Sequence, residues 1–528
     1  MKEFNTTTTC IKEEHYMVDT RKKLAKIEQM IAKGMYFTIN RARQYGKTTT
    51  MSRLFLTLQD KYIIIPGSIE GFGEEPYKSE QKFAKTFLEM IAKRVITQDK
   101  EISDYIRSFK EIKDMDDLSN SITKICNKAK KEIVLMIDEV DKASSNIIFL
   151  DFLAMLRDKY NSRKNGLDKT FKSVILAGVH DVKSLKMHIK ERRILTEDEA
   201  KLVDKTTYNS PWNVAEDFKI DMSFNSQEIA TMLIEYEEEN KTGMNIGEIA
   251  DEIYRYTNGY PFLVSKVCKV IAEDLDNVGK WGIQGIERAI KIILKENNTL
   301  FDSLIKNIEN DSKLNEMVYD ILIDGIEYSY VQTDNVISKA AMYGIIKESE
   351  NAKVQIHNKI FELLLYNHMS IKKERENKRI KRYDSTSQFI NKEGNIDMVA
   401  ILDKFQELMR EEYRKETEKF KEKEGRMIFL AFIKPIINGT GFYDVEVETR
   451  TNKRIDIIIT YNQKRYIIEL KKWYGKAREE KGYNQLAEYI EIKNMDEGYM
   501  VMFDFNKKKR YKNEWIEVEG KRIYEIVV

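Results

Sequence analysis

The chain has 528 residues, too many for one hydrophobic core, and its 42% hydrophobic content excludes a disordered polymer. A formal net charge of +2 excludes a uniformly basic nucleic-acid binder, so any phosphate-binding surface must be local. Cys10, Cys126 and Cys268 are too dispersed for a cysteine-based zinc site, no apolar run reaches about 18 residues, and the N-terminus lacks a signal-peptide core; a cytoplasmic protein without membrane segments is expected.

Residues 1–215 read as alternating strands and helices, the pattern of a parallel sheet flanked by helices. Met35 to Ile39 is a strand, and Met51 to Leu58 is helical. Between them Arg41-Ala-Arg-Gln-Tyr-Gly46-Lys47-Thr48 has the context of a phosphate-binding P-loop. Backbone N–H groups at a helix start hold phosphate, Lys47 reaches the outer phosphates, and Thr48 can ligate Mg²⁺. The departure is Arg41, which stands where the P-loop pattern has its first glycine.

A short apolar strand, Glu132 to Glu139, ends in paired acids of the Walker B type. Asp138 is expected near Mg²⁺, and Glu139 is expected to activate the attacking water. Arg43, Gly46, Lys47, Thr48, Thr49 and Asp138 thus form the expected ATP–Mg²⁺ site. Ser173 to Gly178 is a further buried strand, with His180 or Asp181 as a candidate sensor at its edge. Both apolar runs also read as ordinary core sheet.

Residues 216–295 read as a helical lid domain, with Ser226 as a candidate N-cap and Pro261 in the first turn of a helix. Residues 296–371 resemble a winged helix, either contacting DNA or serving as a packing module that senses nucleotide state; its candidate recognition helix carries only Lys339, which favours packing. A charged connector follows over 372–419. Its basic run from Lys372 to Arg382 reads as a solvated linker or a phosphate-tracking segment.

The last domain, 420–528, carries the second pattern. Arg454 to Tyr461 and Arg465 to Lys471 flank a short polar stretch and read as an antiparallel hairpin. Glu469 and Lys471 share a face, and Asp456 lies across the hairpin. Two carboxylates and an ammonium gathered in this way suit a hard cation such as Mg²⁺ and a water beside it. A solvated hairpin with simple ion pairs is the alternative. Lys507 to Lys512, with Tyr511 and Trp515, form a candidate phosphate- and base-binding patch, or a plain exposed turn.

The Asp456 and Glu469-Leu-Lys471 layout resembles the PD-(D/E)xK nuclease superfamily. Gln485-x-x-x-Tyr489 is similar to the motif on the helix that follows the lysine strand in its exonuclease-like branch. That resemblance implies that Asp456 and Glu469 bind Mg²⁺, that Lys471 positions the water, and that Gln485 and Tyr489 orient substrate or the lysine. Glu424 is the candidate acid on the preceding helix.

The N-terminal part resembles AAA-like or STAND-like ATPases fused to such nucleases in bacteria. The blocks that carry this are His15 to Asp19, Tyr36 to Thr48, Ser210-Pro-Trp-Asn213 and Gly259-Tyr-Pro261. In that family an arginine and an aromatic before Gly-Lys-Thr are usual, so Arg41 fits its pattern. The resemblance implies an α/β multidomain protein that hydrolyses ATP and cuts nucleic acid, DNA above all. Homo-oligomers in which Arg192 or Arg193 serves a neighbour are a further expectation. By analogy alone it implies phage defence or mobile-element maintenance. The rival expectation is a nucleotide switch whose C-terminal fold binds nucleic acid or a partner without cutting.

Overall fold

The structure, a computed structural model, describes residues 2–143, 146–179, 212, 214–275, 280–322, 326–376, 389–391, 393–412, 422–437, 441–448, 454–461, 464–473, 476–504, 506 and 510–528. Two compact units emerge. One comprises Met1–Ile293, Asn297–Asn307 and Tyr330–Lys359; the other comprises Leu294–Glu296, Ile308–Ser329 and Ile360–Val528. The expected ATPase segment and the lid segment up to Ile293 fall in the first, and the expected winged-helix segment is shared between the two.

The first unit is built on α1 (Arg21–Ala32), β1 (Tyr36–Asn40), α2 (Lys47–Leu58), β2 (Ile63–Ser68), α3 (Glu80–Val95), α4 (Lys100–Arg107), α5 (Met115–Lys128), β3 (Ile133–Asp138), α6 (Ile147–Lys164) and β4 (Ser173–Gly178). Its four strands pair in parallel in the order β1-β4-β3-β2. Each strand is apolar on both faces because helices cover both sides. Tyr36, Ile63, Leu135 and Leu176 join the core that contains α3 to α6, whereas Phe37, Ile64, Val134 and Ile175 join the core of α1 and α2. Trp212 is fully buried; its indole N–H donates to Thr38 at 3.1 Å and its ring stacks on Tyr36. The quoted tryptophan is therefore a core residue, while Ser210, Pro211 and Asn213 lie outside the described residues.

Helices follow: α7 (Ser226–Asn240), α8 (Ile246–Thr257), α9 (Pro261–Glu273), α10 (Ile283–Lys295), α11 (Thr299–Glu309), α12 (Ser312–Leu322) and α13 (Asn335–Met342). The cap of α7 is Asn225, not Ser226. Asn225 accepts from the Glu228 N–H while Glu228 accepts in return, a reciprocal box one residue earlier than expected. Pro261 occupies the first turn of α9, where its missing N–H is harmless. A short antiparallel hairpin, β5 (Ile346–Glu348) and β6 (Val354–Ile356), precedes α14 (Lys359–Glu376).

The second unit continues with α15 (Met398–Glu412), α16 (Glu422–Ile437), β7 (Gly441–Glu448), β8 (Arg454–Tyr461), β9 (Lys464–Lys472), α17 (Lys476–Ile492), β10 (Glu497–Phe503), β11 (Lys512–Val518) and β12 (Lys521–Val527). The six strands form one mixed sheet, β11-β12-β10-β9-β8-β7. The hairpin β8–β9 is antiparallel, with Ile457 opposite Ile468 and Ile458 opposite Ile467. Ile457, Ile458 and Ile459 are all buried, as a strand in mid-sheet covered on both faces requires. On one face α17 packs Leu486, Tyr489 and Ile490 onto Ile458, Ile467, Met500 and Met502. On the other, Phe405 of α15 and Phe429 of α16 pack together, with Phe405 edge-on to Phe503.

Helix α16 comes so close to the sheet that residue 425 must be glycine. A Cβ there would lie 2.4–2.7 Å from the Phe503 ring. Gly425→Ala is expected to destabilise the second unit by about 1–3 kcal/mol, read as a lower urea midpoint with an unchanged slope.

Candidate functional site

The P-loop forms from its backbone upward. Gln44 and Gly46 adopt left-handed φ values of 55° and 75°, which turn the chain sharply from β1 into α2. Lys47 folds back so that its ammonium donates to the carbonyls of Arg41 and Ala42 at 2.8 and 2.9 Å. Burial draws that ammonium below the ordinary lysine range, opposed by Asp141 and Asp138. Thr48 donates to Asp138 Oδ2 at 2.7 Å across 90 residues of sequence, and the N–H of Glu139 donates to Asp138 Oδ1 at 2.9 Å.

Glu139 itself sits at φ 57°, a conformation that non-glycine residues hold only where the surroundings enforce it. Burial, and then Asp138 beside it, raises its carboxyl pKa, moving it toward the range of a general base. Arg43, Gly46, Lys47, Thr48, Thr49, Asp138 and Glu139 all line one cavity of about 1210 Å³. The hydroxyl and carboxylate of Thr48 and Asp138 are oxygen donors of the kind Mg²⁺ takes.

Arg41 does not enter that cavity. Its guanidinium donates to the carbonyls of Asn40 and Ile220 and lies 5.4 Å from the centre of the Phe218 ring. A side chain is tolerated at this first loop position because it leaves along the sheet edge. Asp141 is a residue that sequence reasoning missed. It lines the cavity, faces Lys47 electrostatically, and accepts from the Val179 N–H at 2.6 Å, tying β3 to the end of β4. The signal was an acid two residues beyond the Walker pair. His180, Asp181, Arg192 and Arg193 lie outside the described residues.

The Gly-x-Pro segment clamps the loop. Gly259 has φ 68°, and a Cβ on it would fall 1.8 Å from the Phe224 carbonyl oxygen, so no other residue fits. Next to it, Tyr260 donates to the Arg43 carbonyl. Tyr45 of the loop bonds to Ser223 at 2.5 Å and to His357 Nε2 at 3.0 Å, and its ring packs edge-on to Tyr260. His357 directly follows β6, so the small hairpin's end packs on the nucleotide loop.

In the second unit, Glu469 is fully buried and its Oε1 lies 2.7 Å from the Lys471 ammonium. Both stand on the same face as Ile467, the face covered by α17. From that helix Gln485 donates to the Tyr489 hydroxyl at 2.7 Å, and Gly482 passes close to the Lys471 side chain. Four of the expected residues thus gather on one side of the sheet. Asp456 lies in β8 one residue before Ile457, whose partner Ile468 directly precedes Glu469; continuing the register sets Asp456 opposite Glu469. The Asp456 and Glu424 side chains lie outside the described residues.

Glu525 is a second carboxylate the sequence reading passed over. It is fully buried, accepts from the Tyr483 hydroxyl at 2.5 Å and from Lys512 at 2.8 Å, and is paired in register with Met500, as is Glu469. A charge inside the apolar run Ile523 to Val528 was its signal. Part of the expected basic and aromatic patch lies among the described residues. Arg510 pairs with buried Asp504, Lys512 pairs with Glu514 and Glu525, and Trp515 packs on Tyr524 and Tyr499. The alternation of the pleat puts those rings on the face opposite Glu469. Lys507 to Lys509, the 377–382 part of the basic run and the side chains of residues 372–376 lie outside the described residues. Among the described residues no helix is long and apolar enough to cross a membrane.

The sequence model of an AAA-like domain matches residues 6–363, more than half of the chain. The protein belongs to that family. Among solved structures, a Walker-type ATPase of Pyrococcus abyssi is 13% identical with a TM-score of 0.46, over 69% of this chain and 99% of its own. The ORC2 protein of Aeropyrum pernix, solved with ADPNP and ADP, is 11% identical at 0.34, over 70% and 98%. Cdc6p of Pyrobaculum aerophilum is 13% identical at 0.31, over 71% and 98%. No curated protein matches.

Two outcomes test this geometry. Arg41→Ala is expected to cost about 1–3 kcal/mol of stability through its lost charged hydrogen bonds, while nucleotide affinity moves less than about threefold. His357, buried among Tyr45 and Tyr260, has its pKa lowered to about 4, mainly by burial. The folded state therefore keeps it neutral while the unfolded chain takes up a proton near pH 6.5. Its contribution is fully present above that pH, falls as pH drops toward 4, and amounts to about 3 kcal/mol. His357→Leu should flatten this part of the stability–pH curve measured by urea unfolding.

Proposed function

We propose that this AAA-like ATPase couples ATP hydrolysis to Mg²⁺-dependent cleavage of a phosphodiester, with DNA as the expected substrate. The observation that carries the nuclease half is the buried Glu469 carboxylate, paired with a part-exposed Lys471 beside the helix that bears Gln485 and Tyr489. A buried carboxylate beside a lysine suits a divalent cation, and Asp456 follows in register as a second oxygen donor. A cation held there supplies charge neutralisation for the phosphate under attack. Lys471 holds the attacking water and orients it in line, Tyr489 and Gln485 fix the position of the lysine, and the sheet excludes bulk solvent from Glu469.

In the ATPase site Lys47 and the N–H groups at the start of α2 hold the outer phosphates. Thr48 and Asp138 would hold Mg²⁺, which neutralises the leaving charge. Glu139, with its raised affinity for a proton, takes the proton of the water that attacks the terminal phosphate, leaving ADP and phosphate. Acids engage Arg510 and Lys512, which leaves these cations less charge to offer a phosphate backbone and favours a second reading, in which the C-terminal unit binds a partner without cutting.

Cleavage and ATP turnover by the purified full chain separate these readings. With Mg²⁺, Lys471→Ala is expected to lose at least about a hundredfold in cutting of single- and double-stranded DNA and RNA. Glu139→Gln should lose ATP turnover by a similar factor yet retain nucleotide binding. Wild-type cutting by Lys471→Ala sinks the site assignment. An inert wild type with Mg²⁺ or Mn²⁺, with and without ATP, selects binding without cleavage.

A further inference from the structure

Strand β12 carries one acid in an otherwise apolar run. Ile523, Tyr524, Ile526 and Val527 are buried, and Glu525 among them is fully buried. A leucine or isoleucine would fill that place without the desolvation cost of a buried carboxylate, so packing does not explain the acid. Its partners lie on two other elements. The Tyr483 hydroxyl of α17 donates to Glu525 Oε1 at 2.5 Å, and the Lys512 ammonium of β11 donates to Oε2 at 2.8 Å. The registers of β9, β10 and β12 set Glu469, Met500 and Glu525 in one row on the face that α17 covers. The start of α17 crosses that row. A Cβ on Gly482 would lie 3.5 Å from the Met500 methyl and 3.8 Å from Lys471 Cγ, and the next residue, Tyr483, reaches Glu525.

We infer that Glu525, acting through the Tyr483 hydroxyl, is a positioning residue for Lys471. Two strand spacings, about 10 Å, separate Glu525 from Glu469, so Glu525 stays outside the cation site and acts only through the helix. The apolar contacts of Leu486, Tyr489 and Ile490 hold α17 onto the sheet, but such contacts are non-directional and leave the helix free to turn or slide. A hydrogen bond to a carboxylate is directional and strong. This one pins the helix one residue from the glycine that passes over the Lys471 stem. It thereby sets where Gln485 and Tyr489, joined by their 2.7 Å bond, stand relative to the ammonium. Lys512, which also pairs with Glu514, balances the buried charge from the side away from Lys471.

The inference rests on the nuclease reading of Glu469 and Lys471. Steady-state cutting of single- and double-stranded DNA and RNA by the full chain with Mg²⁺ tests it, with kcat and KM separated. Tyr483→Phe keeps the ring and removes the hydroxyl; it is expected to lower kcat about tenfold and to change KM less than about twofold. Glu525→Leu is expected to do the same. Glu525→Gln, whose amide oxygen still accepts from the hydroxyl, is expected to keep most of the wild-type kcat. A purely structural role lowers the urea midpoint of Tyr483→Phe and Glu525→Leu and leaves kcat per folded molecule unchanged. A wild-type kcat in Tyr483→Phe, whatever its midpoint, overturns the inference alone. A wild type that cuts none of these substrates overturns the nuclease reading and the inference with it.

Discussion

Thr48 and Asp138 must meet. Their 2.7 Å hydrogen bond joins the first turn of α2 to the end of β3 across 90 residues, and the nucleotide site is built around that junction. The constraint is topological: β1 and β3 are not neighbours, because β4 lies between them. Only a sheet with helices on both faces holds both strand ends at one edge, which explains the near-continuous apolar strands. Asp141 reinforces the edge by accepting from the Val179 N–H, so all three strand ends are tied together. The left-handed Glu139 is the local strain that this framework sustains.

The loop is also held from behind. Tyr260 and Tyr45 pack against each other, and their hydroxyls reach the Arg43 carbonyl, Ser223 and His357. A neutral, buried histidine suits this place because burial among aromatic rings disfavours the charged form. The loop's geometry thus depends on segments far downstream. In the C-terminal unit the same logic applies on a smaller scale. Glu469 and Glu525 are buried charges that persist because Lys471, Tyr483 and Lys512 answer them, and α17 seals the face on which they stand.

Much of the site was legible because the chemistry is local in sequence. Gly46-Lys47-Thr48 and Asp138-Glu139 sit at strand ends, and Glu469-x-Lys471 follows from a period of two. The parts that were not legible depend on approach. Arg41 reads as a defect in a loop pattern until its guanidinium is seen to leave toward Ile220. Trp515 reads as part of a basic patch until the pleat puts it on the far face.

The amino-acid order by itself determined the alternation that makes a parallel sheet, the loop that turns into α2, the paired acids, and the hairpin bearing Glu469 and Lys471. These follow from periodicity and backbone preference over a few residues. Tertiary structure alone decided which distant groups meet: Thr48 with Asp138, Tyr45 with His357, and Glu525 with Tyr483. Such contacts are set by the packing of whole elements, whose rotation and register no short stretch of chain encodes.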